Sequence, residues 1–461
     1  MRQTAWLAPA AVIVTLGLIW SASCVEDGPV ELKPVQTPPP ARKWAPAVKP
    51  KELSENVKKG LAWLVKTQQP NGSWSQGEES TQMGNAMDGI KASPNVADTC
   101  LATLALIRSG SSPKSGEYSE AVRKAIAFVC GEIESADDKT MFITNLRGTR
   151  TQAKLGQFID TFMASMLLAE TRDQMADDAA TKRVKVAFNK VMDKIEKNQK
   201  PDGTWDGQGW APVLQQAMAA KALNMAAQSG AVVSEQARAN VEKFAQGQFE
   251  MKNGRVALAE SADAHSPLGP SVALEGGSFG ARRSGGRVSG VSGGGAGGSA
   301  GVDLYAWSAN ISAMRDQDNT NAIETPKLRD RLAKSNDASE KAEIQATLDR
   351  YDKNRKALEE AQKTLVENMQ DERFIRGFGS NGGEEFLSQM NIGESLVVTG
   401  GEAWEKWDKK TTENLNHIQN EDGSWTGHHC ITGRSFCTSA ALLVLTVDRA
   451  PVPVAAEIRR R

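Results

Sequence analysis

Gln68-Gln69-Pro70-Asn71-Gly72-Ser73-Trp74, Gln199-Lys200-Pro201-Asp202-Gly203-Thr204-Trp205 and Gln419-Asn420-Glu421-Asp422-Gly423-Ser424-Trp425 are three spellings of one turn. Each follows an amphipathic helical run and precedes a more apolar one, which makes the chain an internal repeat of helix, turn and helix. Asn-Gly or Asp-Gly tolerates positive φ and ends a helix sharply. The Gln amide is suited to an orphan backbone group at the helix end, and the Trp offers a large apolar face to cover the turn. Gln68, Gly72, Trp74, Gln199, Gly203, Trp205, Gln419, Gly423 and Trp425 are therefore expected to be structural, each pair stacking on the next.

Working outward from these turns, the periodicity gives six helix pairs. They are 53–67 with 96–109, 119–134 with 158–170, 181–198 with 212–227, and 234–249 with 302–315. A long charged region ending near Met369 pairs with 384–398, and 402–418 pairs with 435–447. The turn has decayed at 248–254 and 370–374, and pair two has lost it. Residues 324–370 hold more helix than a pair needs and read as a hairpin insertion, 327–348 and 351–369. Its opposite charges at helical spacing suit a solvated surface, and it is too poor in Leu for a coiled-coil arm. Residues 276–301 are Gly/Ser-rich with Arg282, Arg283 and Arg287, a composition for a flexible loop or a lid over an anionic ligand.

The 461 residues suffice for one large repeat-built domain, and the formal net charge of −1 disfavours nucleic acid as a partner. Residues 1–24 read as a targeting segment, with Arg2 before an apolar 5–20 and the small residues Ser21, Ala22 and Ser23 before Cys24. That is a lipoprotein-type pattern with acylation at Cys24, although Ser21 stands where Leu is usual. Cleavage near Ala22 and an uncleaved anchor are the alternatives. Residues 25–50 are a Pro-rich tether, 51–450 the domain and 451–461 a tail. Export to the periplasm or cell envelope is expected, with membrane contact through the N-terminal segment only. Cys100, Cys130, Cys430 and Cys437 then remain as bridges, free thiols or metal ligands.

The stretch Lys59-Gly60 through Trp63 and Gln68 to Gly72-Ser73-Trp74 resembles the QW repeat of squalene and oxidosqualene cyclases, within the wider terpenoid cyclase and protein prenyltransferase superfamily. The resemblance covers roughly 52–448 and implies an all-α fold, an α/α toroid of six helix pairs. The Asp-x-Asp-Asp acid of squalene–hopene cyclases has no match: Asp137-Asp138 and Asp177-Asp178 lack the third carboxylate. Prenyltransferases hold zinc with an Asp-x-Cys pair and a His. That implies a zinc set drawn from Asp98, Cys100, His428, His429, Cys430 and Cys437, in a reversed order along the chain. Alternatively, Asp98 favours a helix N-terminus, as Asp160 and Asp303 do at equivalent places. Cys437 would then pair with Cys430 or Cys100 in a disulfide. His428, His429 and Arg434 together suit an anionic or carbonyl ligand at a cavity mouth, and with Asp98, Asp160 and Asp303 they are the ligand-binding candidates.

The expectation is an envelope-tethered toroid that binds a small apolar ligand or a protein partner without catalysis. The alternative is a zinc-dependent or cyclase/transferase-like enzyme on an isoprenoid or other apolar substrate. Polysaccharide processing would need a cluster of carboxylates and aromatics that no stretch of the sequence displays. Fold alone does not decide among these.

Overall fold

In the computed structural model, residues 44–454 are described except 85, 86, 208, 253, 260–301, 379 and 380. The targeting segment with Cys24, most of the Pro-rich tether, and the Gly/Ser-rich stretch with Arg282, Arg283 and Arg287 lie outside the described residues.

The described chain is mostly helix. Its helices are α1 (Glu55–Thr67), α2 (Val96–Arg108), α3 (Ser119–Ser135), α4 (Arg150–Leu155), α5 (Ile159–Thr171), α6 (Asp178–Lys197) and α7 (Pro212–Gln228). The rest are α8 (Glu235–Gly247), α9 (Asp303–Lys334), α10 (Ala338–Asn368), α11 (Glu372–Arg376), α12 (Gly383–Thr399), α13 (Gly401–His417) and α14 (Arg434–Leu445). No helix among the described residues is long and apolar enough to cross a membrane.

Two kinds of helix alternate. α2, α5, α7, α12 and α14 are apolar or small nearly all round and are buried almost end to end, as is the first half of α9. α1, α3, α6, α8 and α13 each bury one stripe and leave a charged face in water. The buried helices pack in order: α2 on α5, α5 on α7, α7 on α9, α9 on α12, α12 on α14, and α14 on α2. One small two-stranded pairing joins the two ends of the described residues. Trp44–Pro46 pairs antiparallel with Pro451–Pro453, so the ordered unit extends past 51–450 on both sides.

The charged insertion bends elsewhere than expected. α9 runs unbroken to Lys334, and the bend falls at 335–337 instead of near 349–350. Asp337 Oδ1 accepts from Ser339 N at 2.7 Å and Glu340 N at 3.3 Å, while Ser335 Oγ donates to Glu340 at 2.6 Å. This is a helix N-cap, and it outweighs the continuous charge periodicity on either side.

The three turns are built alike. The indole N–H of Trp74, Trp205 and Trp425 donates at 2.8 Å to the carbonyls of Leu64, Ile195 and Leu415, and all three rings are buried. Asn71, Asp202 and Asp422 accept from the backbone N–H two residues on, closing an Asx turn. The Gln amide reaches forward to the next amphipathic helix: Gln68 to Ala121 O, Gln199 to Ala237 O and Gln419 to Asn56 O, at 2.8–3.0 Å. Gly72, Gly203 and Gly423 have φ of 85–91° and rest so close to that helix that a Cβ would stand 2.3–2.7 Å from the carbonyls of Lys124, Asn240 and Lys59. Each intact turn thus seats on its neighbour at two backbone points three residues apart.

Candidate ligand-binding site

The segment after α1 meets the segment before α14. Ser80 N donates to Thr432 Oγ1 at 3.2 Å, and Arg434 N to Glu78 O at 3.2 Å. Around that seam lie the beginnings of the buried helices. Asp98 of α2 is fully buried, and neither carboxylate oxygen has a hydrogen-bond partner. Burial, then the nearby Asp160, pushes its carboxyl up to about 8. Glu384 of α12 accepts from Ile431 N at 3.1 Å through one oxygen only, and burial, then Glu385, raises it to about 8.

Glu385 is better satisfied. It accepts from Tyr305 OH at 2.5 Å, Phe378 N at 3.0 Å and Gly382 N at 3.0 Å, and His429 Nε2 stands 3.4 Å from its Oε2. A chain of edge-on rings covers this corner: Trp210 against Tyr305 at 6.3 Å, Trp210 against Phe378 at 5.2 Å, and Phe378 against His429 at 5.3 Å. Lys154 of α4 lies over Trp210, 5.0 Å from the ring centre.

The expected residues have divided fates. Asp98 and His429 belong to this polar corner. Cys437 is buried within electrostatic reach of Glu384, Asp98 and Glu385, with Sγ on Ile431 O at 3.4 Å. Cys430 has φ of 57°, and burial, then Glu384, pushes its thiol up to about 12. Cys100 lies in the packed core, its thiol raised by burial and by Asp160. His428 is exposed, Asp303 is exposed, and Asp160 is occupied by Ala97 N and Gln152 Nε2. Arg434 clamps the pair-six turn through Asp422 at 2.7 Å and lies over the Trp63 ring, so it does not face a cavity mouth.

Both cysteine pairings expected as alternatives are corrected: Cys100, Cys130, Cys430 and Cys437 are all free thiols. Nor do the six candidate zinc ligands converge, for no three His, Cys, Asp or Glu side chains among the described residues stand in metal-holding geometry. Burial keeps these thiols neutral, which also leaves them poor nucleophiles. The thiols of this corner offer hydrogen bonds, not an activated nucleophile.

Glu385 also faces outward, into a cavity of about 510 Å³ between α10, α11, α12 and α13. Val366, Phe374, Phe386, Ile392, Trp407 and Leu415 supply its apolar lining, and Arg376, Lys406 and Lys410 stand among its polar residues. The register explains the space. Leu64 and Leu415 accept equivalent indole bonds, so Trp407, Lys410 and Thr411 of α13 match Asn56, Lys59 and Gly60 of α1. Asn56, Lys59 and Gly60 are where the pair-six turn sits, with Trp425 Cζ3 only 2.7 Å from a Cβ on Gly60. Trp407, Lys410 and Thr411 all line the cavity. Pair five has no Gln-Gly-Trp turn to fill that seat. A second cavity, about 570 Å³, lies against α10 beside Phe249 and Met251, where pair four's turn has also decayed.

A hollow bounded by Leu101, Met166, Met225 and Met390 measures about 40 Å³, with Lys221 bridging Asp316 at 2.9 Å and Glu394 at 2.7 Å beside it. Trp44 and Val452 close its end.

Glu384, Glu385, Tyr305 and Trp210 are missing from the sequence-derived candidates. An acidic pair opening an otherwise apolar helical run was the available signal for the first two. Comparison with known proteins finds no family model, no curated protein and no solved structure that matches this chain.

Proposed function

We propose that this chain is an exported, envelope-tethered α/α toroid of six helix pairs, akin to the terpenoid cyclase and prenyltransferase superfamily, that binds a small ligand without catalysing a reaction. The toroid reading is supported by the packing order of the buried helices, which returns from α14 to α2. The ligand reading is carried by one observation: the 510 Å³ cavity stands where pair five lacks its turn. Ligand pockets are typically some 300–1,000 Å³, with apolar walls and a few convergent polar groups.

The isoprenoid-enzyme alternative would need an apolar chamber between the buried helices, and the hollow beside Lys221, about 40 Å³, is smaller than a usual ligand pocket. Among the described residues no three His, Cys, Asp or Glu side chains stand in metal-holding geometry. Titration with the fluorescent probe 1-anilinonaphthalene-8-sulfonate tests the reading. One saturable site is expected, lost in Ala403→Trp, whose indole would project from α13 into the cavity. Undiminished binding in a folded Ala403→Trp protein contradicts it, as does turnover of squalene or farnesyl diphosphate.

A further inference from the structure

We infer that the pair-five cavity takes a free amphipathic anion, an alkyl or aryl body carrying one carboxylate. This rests on the reading that the cavity is a ligand site, and adds the chemical class. In the intact repeats the same seat holds an indole and an amide: the Trp fills the apolar depth, and the Gln and Gly lie on the next helix. In pair five the apolar depth remains, walled by Phe386, Ile392 and Leu415, with the Trp407 ring packed against Gly393. An apolar body replaces what the missing Trp would bury.

The polar end of the seat is cationic. Lys406 and Lys410 lie one turn apart on α13, and Arg376 stands at the end of α11. Glu372 and Glu385 are the acidic residues of the lining. Glu385 already accepts from Tyr305, Phe378 and Gly382, so its charge is met from within the protein. Glu372 pairs with Lys410 at 3.0 Å in an exposed bridge, and such bridges exchange partners at small cost. Lys406 pairs with the exposed Glu402, at 2.6 Å. A ligand carboxylate at this rim therefore meets an excess of cations, while a ligand cation would meet the carboxylate that is already satisfied.

The test compares two probes of equal chain length, dodecanoate and dodecyltrimethylammonium, as competitors of 1-anilinonaphthalene-8-sulfonate on the full chain. Dodecanoate is expected to bind at least tenfold more tightly, with an advantage that shrinks as salt rises. Lys406→Gln with Lys410→Gln is expected to remove about tenfold from dodecanoate and little from the ammonium, two exposed charge contacts each contributing a few-fold. Equal affinity for both probes overturns the anion class and leaves the ligand site standing. Failure of every probe to bind overturns both. Sedimentation with phosphatidylglycerol vesicles, combined with no binding of monomeric dodecanoate, would overturn a free ligand in favour of a lipid surface.

Discussion

The ring of Trp425 lies against Gly60 so closely that a Cβ on Gly60 would stand 2.7 Å from Cζ3. Thr411 occupies the matching place on α13 and faces the open cavity. Gly60→Val should therefore lower stability by about 1–3 kcal/mol through overpacking, while Thr411→Val should change it by less than about 0.5 kcal/mol. Chemical denaturation of the two variants checks the contrast. Equal losses would mean that the two seats are not equivalent.

The turn tryptophans are expected to be pure structure. Trp205→Ala removes a buried ring, its hydrogen bond to Ile195 O and an edge contact with Phe162 at 5.3 Å. A loss of about 3–5 kcal/mol follows. Trp205→Phe should recover part of it. Ligand affinity per folded molecule should stay unchanged in both, as a titration corrected for active fraction would report.

Asp98 and Glu384 make stability fall as pH rises. Each has its folded pKa near 8, above the ordinary carboxylate value, chiefly through burial. Such a group contributes fully below the unfolded pKa near 4, and its contribution is lost as pH climbs through about 8. Asp98→Asn cannot ionise, so the stability difference between pH 5 and pH 8.5 should narrow by on the order of a few kcal/mol. An unchanged pH slope in urea denaturation would show that Asp98 is charged in the folded protein.

The four described cysteines should behave as buried thiols. Alkylation of the denatured protein, with and without prior reduction, should label Cys100, Cys130, Cys430 and Cys437 equally. A reduction-dependent mass gain at Cys430 and Cys437 would establish a bridge. Chelator treatment should leave the melting temperature within about 1 °C, since no metal then contributes to folding.

The helices were readable because each carries its own period, and because Trp74, Trp205 and Trp425 sit in turns with a definite physical task. The bend at 335–337 was written as Ser335, Asp337 and Glu340, but the charge pattern around it hid the cap. The polar corner is harder to see in a linear sequence. Glu385, Tyr305 and His429 are brought together from three segments, and of these only His429 stood among the sequence-derived candidates. Arg434 looked like a ligand contact because it follows His428 and His429, yet as the first residue of α14 it turns back to Asp422. The cavity was the least legible feature, since it follows from a Trp that pair five does not have.

A crystal structure of the protein soaked with dodecanoate tests the central claim most directly. The claim predicts one chain between α10, α12 and α13, its tail against Phe386 and Trp407 and its carboxylate within reach of Lys406, Lys410 or Arg376. A seat filled by the protein's own side chains, or a ligand lodged instead among the buried helices beside Lys221, would contradict it.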